Sequence, residues 1–261
     1  MIALRAMEMM RAMRLMQQVT NLLKGMVLTF VVFTAAALFA ASESNYPMQS
    51  IETNIADKPS LQRGAKLYIG YCLGCHSLKY QRYGRTAEDL EIPEDIAIET
   101  LVFTNQKIGE LMDTAMPDAS RNWFGGPPPD LTMVTRVRGT EWLYNYLKAF
   151  YVDESRPFGV NNKVFPNVGM PHALLELQGV AREACPSDTE ECTTLVVDEN
   201  TGALSSEEYD SAVFDIVNFL DYVGEPSRLD RERIGIYVLL FLVILSVFTF
   251  LLNREYWKDV H

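Results

Sequence analysis

The stretch Cys72-Leu73-Gly74-Cys75-His76 decides how the rest of this sequence is interpreted. Two thiols three positions apart lie on one face of a helical turn, where each can form a thioether with a vinyl group of haem. The imidazole of His76, which follows directly, can then supply the proximal ligand of the iron. The pattern therefore predicts one haem c that is covalently attached through Cys72 and Cys75.

Two apolar blocks near the ends of the chain indicate export and a membrane anchor. Residues 1–41 carry four basic residues and one acidic residue, then an apolar run that ends in small residues, which predicts a cleaved signal peptide. An uncleaved anchor is the alternative, because the run is nearly long enough to cross a bilayer. The second block, 234–252, has nineteen residues and no charge, so it can span the membrane. The predicted organisation is a periplasmic domain over 42–226, a transmembrane anchor in contact with membrane lipid over 227–253, and a cytoplasmic tail over 254–261.

The remaining cysteines predict a disulfide. The chain has four cysteines, and Cys185 and Cys192 are left once the first pair is assigned to haem. In an oxidising compartment, two such cysteines seven positions apart favour a disulfide that closes a short loop. The competing interpretation is a zinc site in which all four cysteines bind one metal. The wide spacing of the second pair and the presence of His76 argue against that site.

The charge balance indicates the kind of partner. The whole chain carries a net charge of −11, and without residues 1–41 it has 19 basic and 33 acidic residues, a net charge of −14. An acidic exported domain is not suited to nucleic acid, whereas it attracts a basic soluble partner through a field that salt weakens. A solvated acidic surface without a partner is the alternative.

The pattern of apolar residues between the two blocks predicts a mainly α fold. Helical spacing predicts four helices, over 61–75, 100–116, 140–151 and 206–223. The first and the last are expected to cross, with Gly64 as a point of close approach. Ser60 and either Ser205 or Ser206 are the expected N-caps. Residues 179–204 predict a hairpin around the cysteine pair, and the run of prolines over 127–129 predicts a rigid wall.

The second axial position of the iron is not decided by the residues alone. A thioether at this position would favour the ferrous state, whereas a second imidazole would lower the potential. Met116 and Met170 each precede a proline, which stiffens a loop that presents sulfur to iron. His172 is the imidazole candidate, and the pattern does not choose among these three residues.

Four features occur in a fixed order along 45–261, and together they carry a family resemblance. They are Arg63-Gly64-Ala65-Lys66-Leu67-Tyr68 ahead of the haem motif, Pro128-Pro129-Asp130-Leu131 followed by Arg136-Val137-Arg138, then Gly169-Met170-Pro171, and finally the single C-terminal span. With these features the chain resembles the cytochrome c1 family in its bacterial form. Members of this family are the haem-c subunits of the cytochrome bc1 complex, ubiquinol–cytochrome c reductase.

The resemblance implies roles for individual residues. Met170 corresponds to the distal iron ligand of the family, and Arg138 corresponds to an arginine near a haem propionate. Pro128 and Pro129 correspond to a segment that lines the haem pocket. His172 departs from the mitochondrial members, and it is kept as the alternative ligand.

The function that the resemblance implies is single-electron relay from the Rieske iron–sulfur protein to a soluble cytochrome c. The expected neighbours are cytochrome b and the Rieske protein, in a complex that is dimeric in the family and lies in the bacterial inner membrane. The sequence has no nucleophile–base pair, so no catalytic site of its own is expected and quinol–cytochrome-c reductase activity would belong to the complex. Two alternatives stay open: a membrane-anchored cytochrome c that serves another respiratory partner such as an oxidase, and a zinc or thiol module without haem.

Overall fold

The computed structural model describes residues 46–103, 106–117, 119, 123–185 and 192–258. The chain divides into two compact units, Met1–Ser44 and Asn45–His261, and the described residues all belong to the second. The predicted signal peptide, residues 1–41, lies outside the described part of the chain. The same is true of residues 186–191 inside the predicted hairpin.

Helices dominate the described residues, so the predicted mainly α architecture is confirmed. In chain order they are α1 Lys58–Tyr71, α2 Tyr83–Asp89, α3 Glu94–Leu101, α4 Val134–Arg138, α5 Thr140–Lys148, α6 Leu175–Gln178, α7 Ser206–Gly224 and α8 Arg228–Tyr256. The described strands form three short antiparallel pairs: β1 Leu78–Arg82 with β2 Leu111–Met112, β3 Phe150–Val152 with β4 Val160–Asn162, and β5 Ala181–Glu183 with β6 Leu195–Val197.

Helices α1 and α7 pack against each other at Gly64, as the sequence predicted. A Cβ atom added at Gly64 would lie 2.0 Å from the carbonyl oxygen of Asp215 and 2.7 Å from the Cβ atom of Phe219. Only a residue without a side chain allows the two backbones to come this close. Around the crossing, the rings of Tyr68 and Phe219 lie 5.7 Å apart, and both side chains are fully buried.

Hydrogen bonds between polar side chains also stabilise the crossing of α1 and α7. The buried carboxylate of Asp215 accepts hydrogen bonds from the Ser60 hydroxyl at 2.7 Å and from the Arg63 guanidinium at 2.6 Å and 2.9 Å. Asn218 donates to the Ser60 hydroxyl at 3.0 Å. Each of these buried polar groups therefore has a partner, which is the condition for placing such groups in a helix interface without a large cost.

The ends of α1 differ from the prediction, whereas α7 begins where it was expected. Asp57, not Ser60, caps α1, because its side chain accepts a hydrogen bond from the Ser60 N–H at 3.2 Å. The Ser60 hydroxyl is used instead by the crossing. Ser205 caps α7 and forms a capping box with Glu208, which satisfies two N–H groups that a helix start leaves open.

The helix predicted over 100–116 is wrong. The helix of this region is α3, which begins directly after Pro93 and places Glu94 and Asp95 in its first turn. Carboxylates at that position are stabilised by the positive end of the helix dipole, which favours a helix that begins at Glu94. Met112 instead pairs with Leu78 in the β1–β2 ladder, where it is fully buried.

The aromatic helix predicted over 140–151 starts correctly but ends three residues early. Helix α5 ends at Lys148, and the chain continues as strand β3, which pairs with β4 in the register Phe150 with Asn162. The side chain of Asn162 donates to the Tyr146 carbonyl at 2.8 Å, so this group near the helix end is satisfied outside the helix.

The predicted hairpin is present as the pair β5–β6. Ala181 lies opposite Val197, and Glu183 lies opposite Leu195. Cys185 and Cys192 form a disulfide beyond the ends of the two strands, with their Cα atoms 5.6 Å apart.

The C-terminal helix α8 is long and apolar enough to cross a membrane. It has 29 residues, its most apolar window has a mean hydropathy of 2.8, and none of that window is buried. Ion pairs hold its start against the preceding helices: Arg228 with Asp221 at 2.9 Å, and Arg231 with Glu225 at 2.5 Å. Glu225 also pairs with Arg136 at 2.8 Å.

The close crossing leads to a stability prediction. Gly64→Ala should lower the free energy of unfolding by about 1–3 kcal/mol or more, since the new methyl group has to displace the backbone of α7. The measurement is urea or thermal denaturation of the haem-loaded protein. Gly70→Ala in the same helix is the matched control, because a Cβ atom there meets nothing within 4 Å. Equal unfolding midpoints for the two variants would contradict the close approach.

Candidate haem site

The haem motif lies directly after α1, in a tight turn and not in the helix itself. The N–H of Cys75 donates to the Cys72 carbonyl at 3.0 Å, and the N–H of His76 donates to the same carbonyl at 2.8 Å. The Tyr68 hydroxyl donates to the His76 carbonyl at 2.6 Å, and this contact holds the end of the turn against the buried face of α1. The motif is therefore a folded and fixed unit.

The imidazole of His76 is held in the form that binds iron. Its Nδ1 atom lies 2.7 Å from the carbonyl oxygen of Pro129. Because a carbonyl only accepts hydrogen bonds, Nδ1 carries the proton and Nε2 keeps a free lone pair. Burial lowers the pKa of His76, which also favours the neutral ring.

Hydrogen bonds from its backbone and from one side chain hold the proline-rich segment, residues 127–131, against the haem motif. The N–H of Leu131 donates to the Ser77 carbonyl at 2.9 Å. The carboxylate of Asp130 accepts from the N–H of Lys79 at 2.8 Å and from the N–H of Thr132 at 3.0 Å. These bonds position the Pro129 carbonyl for its contact with His76.

One cavity collects the residues that the sequence assigned to haem. Its volume is about 570 Å³, which lies within the range of small-molecule and cofactor sites. Its lining includes all of the predicted haem residues: Cys72, Cys75, His76, Pro128, Pro129, Arg138 and Met170. Most of the other lining residues are apolar or aromatic, from the end of α1, the proline-rich segment, α4, α5, the loop around Met170, and α7. Two thiols, one imidazole and the thioethers of Met133 and Met170 lie in an apolar enclosure, and this set includes the donors that haem c requires, so the residues present fit this group.

The cavity distinguishes among the three candidates for the distal ligand. Met170 lines it, whereas Met116 and His172 are not among its described lining residues. The ring of His172 instead stacks on Phe150, with centroids 4.8 Å apart and an interplanar angle of 1°. Burial lowers the pKa of His172 to about 4, so this ring is neutral in the core.

Two contacts position Met170. A Cβ atom at Gly169 would lie 2.8 Å from the carbonyl oxygen of Phe124. The loop that carries Met170 therefore passes very close to the backbone of residues 124–126. The hydroxyl of Tyr146 donates to the Met170 Sδ atom at 3.3 Å. Burial raises the pKa of Tyr146, and the phenol therefore keeps its proton at every physiological pH.

Arg138 lies at the edge of the cavity. Its guanidinium sits over the ring of Trp142, 5.1 Å from the centroid, and over Phe165 at 5.9 Å. A planar guanidinium that stacks on aromatic rings is well oriented to pair with a carboxylate beside them.

The sequence placed the aromatic helix that carries Trp142 and Tyr146 in the surroundings of the haem, and both side chains line the cavity. These two residues are four positions apart and share one face of α5. Sequence reasoning did not assign a role at the site to Phe165. No signal in the sequence connects Tyr146 to Met170, because the two are 24 positions apart and meet only through the fold.

The geometry argues against a zinc or thiol site. Burial raises the pKa of Cys72 to about 12, so this free thiol is not the reactive thiolate that a thiol enzyme needs. The disulfide occupies Cys185 and Cys192, which removes them as ligands. Among the described residues there is no group of three or more His, Cys, Asp or Glu side chains that could hold a metal ion.

Comparison with known proteins identifies the family. The model of the Cytochrome C1 family matches residues 49–260. The chain belongs to this family. Cytochrome c1 of Allochromatium vinosum is 49% identical over 241 residues, which cover 89% of this chain and 97% of that protein. The ammonia monooxygenase gamma subunit of Nitrosomonas europaea is 44% identical over 207 residues, 79% of this chain and 86% of that protein.

More distant relatives extend the same comparison. Cytochrome c1 of Rhodobacter capsulatus is 25% identical over 241 residues, 77% of this chain and 83% of that protein. A chain of a solved hyperthermophilic respiratory Complex III aligns with a TM-score of 0.38 and 16% identity, over 90% of this chain and 99% of that chain, a similarity too low to add to the family assignment. The family match and the 49% identical relative confirm the predicted resemblance to cytochrome c1. Membership of the family implies a haem c cofactor and a membrane-anchored role in electron transfer.

The contact at Gly169 generates a second prediction. Gly169→Ala should lower the free energy of unfolding by about 1–3 kcal/mol, because the methyl group has to push the loop away from the Phe124 backbone. Denaturation of the haem-loaded protein measures the change. Gly109→Ala is the control, since an added Cβ atom at this exposed position meets nothing within 4 Å. A loop that tolerates both substitutions equally would disprove the close approach.

Proposed function

We propose that this chain is the electron-relay subunit of a quinol-oxidising bc1 complex, which passes single electrons from the Rieske iron–sulfur protein to a soluble cytochrome c. The observation that carries the proposal is the convergence of Cys72, Cys75, His76 and Met170 on one apolar cavity in a member of the Cytochrome C1 family. Haem c, when bound, supplies the one-electron couple of its iron.

The residues of the chain have distinct roles in this proposal. Cys72 and Cys75 would hold the haem through thioether bonds, and His76 and Met170 would bind its iron. An iron held by two protein ligands would be suited to electron transfer and not to the binding of small molecules. The chain needs no acid, base or nucleophile of its own, so quinol oxidation belongs to the complex.

Pro128, Pro129 and Arg138 complete the proposed pocket. Pro128 and Pro129 form one wall, and the Pro129 carbonyl orients the His76 ring. Arg138 is proposed to pair with a haem propionate, because its exposed guanidinium lies at the edge of the cavity beside two aromatic rings.

The proposed location is the bacterial inner membrane, with a single span and the haem domain in the periplasm. Residues 1–41 act as a signal peptide, 42–226 form the periplasmic domain, 227–253 the anchor and 254–261 the cytoplasmic tail. The length and hydropathy of α8 support the single membrane span, and only residues 225–227 lie between α7 and α8.

The proposed partners are cytochrome b and the Rieske protein in a dimeric complex, with membrane lipid around α8. Family membership supports these neighbours. The net charge of −11 supports a basic soluble cytochrome c as acceptor, since opposite charges speed the encounter of the two proteins.

A second candidate is a membrane-anchored haem-c protein that serves another respiratory enzyme. The observation in its favour is the 44% identical relative that is named as a subunit of ammonia monooxygenase. Both candidates share the haem site and the anchor, so they differ in their partners alone.

Purification of the native complex separates the two candidates. A tagged chain extracted in mild detergent should bring with it b-type haem and the electron paramagnetic resonance signal of a Rieske cluster. Addition of a quinol should then reduce added soluble cytochrome c through this preparation. A preparation that contains haem c without haem b, or that leaves cytochrome c oxidised, would favour the second candidate.

The distal ligand has its own test. Met170→Leu should lower the midpoint potential, abolish the far-red sulfur-to-iron charge-transfer band and open the iron to carbon monoxide, because leucine offers no donor atom. Redox titration and optical spectra measure these changes. Met133→Leu is the matched control, as this methionine also lines the cavity but is 42% exposed. Unaltered spectra and potential in Met170→Leu would remove Met170 from the iron.

A further inference from the structure

We propose that Tyr146 is a positioning residue for the distal ligand: its hydroxyl orients the Met170 sulfur and weakens the electron donation of that sulfur to the iron. The inference deepens the proposed function, since it rests on Met170 as an iron ligand. It adds a residue that lies outside the haem motif and outside the Gly169-Met170-Pro171 segment.

The geometry of the contact allows sulfur to bind two groups at once. The Tyr146 oxygen lies 3.3 Å from Met170 Sδ, and a thioether sulfur can only accept, so the phenol is the donor. A thioether sulfur has two lone pairs. One can accept this hydrogen bond while the other points to a metal, and the hydrogen bond then selects which lone pair is available.

The Tyr146 ring is held in place from several sides. Trp142 stacks on it with centroids 4.9 Å apart and an interplanar angle of 9°. Phe150 packs edge-on at 5.3 Å and 69°. The ring is therefore fixed in both position and tilt, which a hydrogen bond to a weak acceptor such as sulfur requires.

One buried amide joins helix α5 to the segment that leads to Met170. Asn162 donates from Nδ2 to the Tyr146 carbonyl at 2.8 Å. Its Oδ1 atom accepts from the N–H of Val164 at 2.9 Å and from the N–H of Phe165 at 3.1 Å. Asn162 is only 1% exposed, so these bonds form without competition from water. The hydroxyl and the sulfur are thus positioned by a common support.

The electronic consequence follows from the direction of the hydrogen bond. A donated proton draws electron density from the sulfur, which makes it a poorer donor to oxidised iron. The reduced state is then favoured, and the potential rises. Removal of the hydroxyl should act in the opposite direction.

The test is Tyr146→Phe in the full-length, haem-loaded protein, because phenylalanine keeps the ring and removes the hydroxyl alone. At a fixed ambient potential the ratio of oxidised to reduced protein should rise about three- to tenfold, which corresponds to a midpoint about 30–59 mV lower for one electron. The sulfur-to-iron charge-transfer band should remain, shifted in energy, because the sulfur stays bound with changed donor strength.

Tyr144→Phe is the matched control. Tyr144 lies in the same helix and is 3% exposed, but its hydroxyl accepts from Lys148 at 3.3 Å and it does not line the described cavity. This variant should leave the potential and the band unchanged. An equal shift in both variants would reduce the effect to the loss of any buried hydroxyl from α5 and would overturn the inference.

The remaining outcomes separate this inference from the proposed function. If Met170→Leu abolishes the band while Tyr146→Phe changes neither potential nor band, Met170 is the ligand and the role of Tyr146 is disproved. If Met170→Leu itself leaves the band unchanged, the ligand assignment of the proposed function fails, and the inference falls with it.

Discussion

The close crossing of α1 and α7 is the constraint on which the rest of the structure depends. Helix α1 delivers the haem motif, and Ile216 and Leu220 of α7 line the cavity beside it. The separation of these two helices at Gly64 therefore sets the distance between the two cysteines of the motif and one wall of the cavity. A glycine at the contact and a fully partnered Asp215 allow this short distance without an unsatisfied buried charge.

The two proposed iron ligands, His76 and Met170, are oriented by a backbone group and by a neighbouring aromatic residue. The Pro129 carbonyl sets the tautomer of His76, and the Tyr146 hydroxyl contacts Met170. Both supports come from segments far from the ligand in sequence, so the site forms only when the proline-rich segment and α5 have docked.

Ion pairs connect the end of α7 to the start of α8 and to α4. Asp221 and Glu225 each hold an arginine from the first turns of α8, and Glu225 also holds Arg136. Because α4, α7 and the start of α8 share these ion pairs, the short segment between α7 and α8 is held in place on both sides.

The sequence by itself determined the features that depend on neighbouring residues. The haem motif, the apolar length of α8, the Ser205 cap and the cysteine hairpin each follow from a few adjacent positions, whose chemistry does not change with the surrounding fold. The close approach at Gly64 could also be predicted, because a glycine inside an amphipathic helix lowers stability unless another backbone packs against it. The order of short motifs was specific enough to indicate the Cytochrome C1 family.

Only the tertiary structure decided the features that depend on distant residues. Met170 lines the cavity, whereas Met116 and His172 are not among its described lining residues, and the Tyr146 contact joins two positions 24 residues apart. The helix predicted over 100–116 is not formed: α3 ends at Leu101, and Leu111 and Met112 pair with β1, a partner about 30 positions earlier in the chain. Local patterns cannot settle such cases, since the free energy that decides them comes from contacts that exist only after the chain has folded.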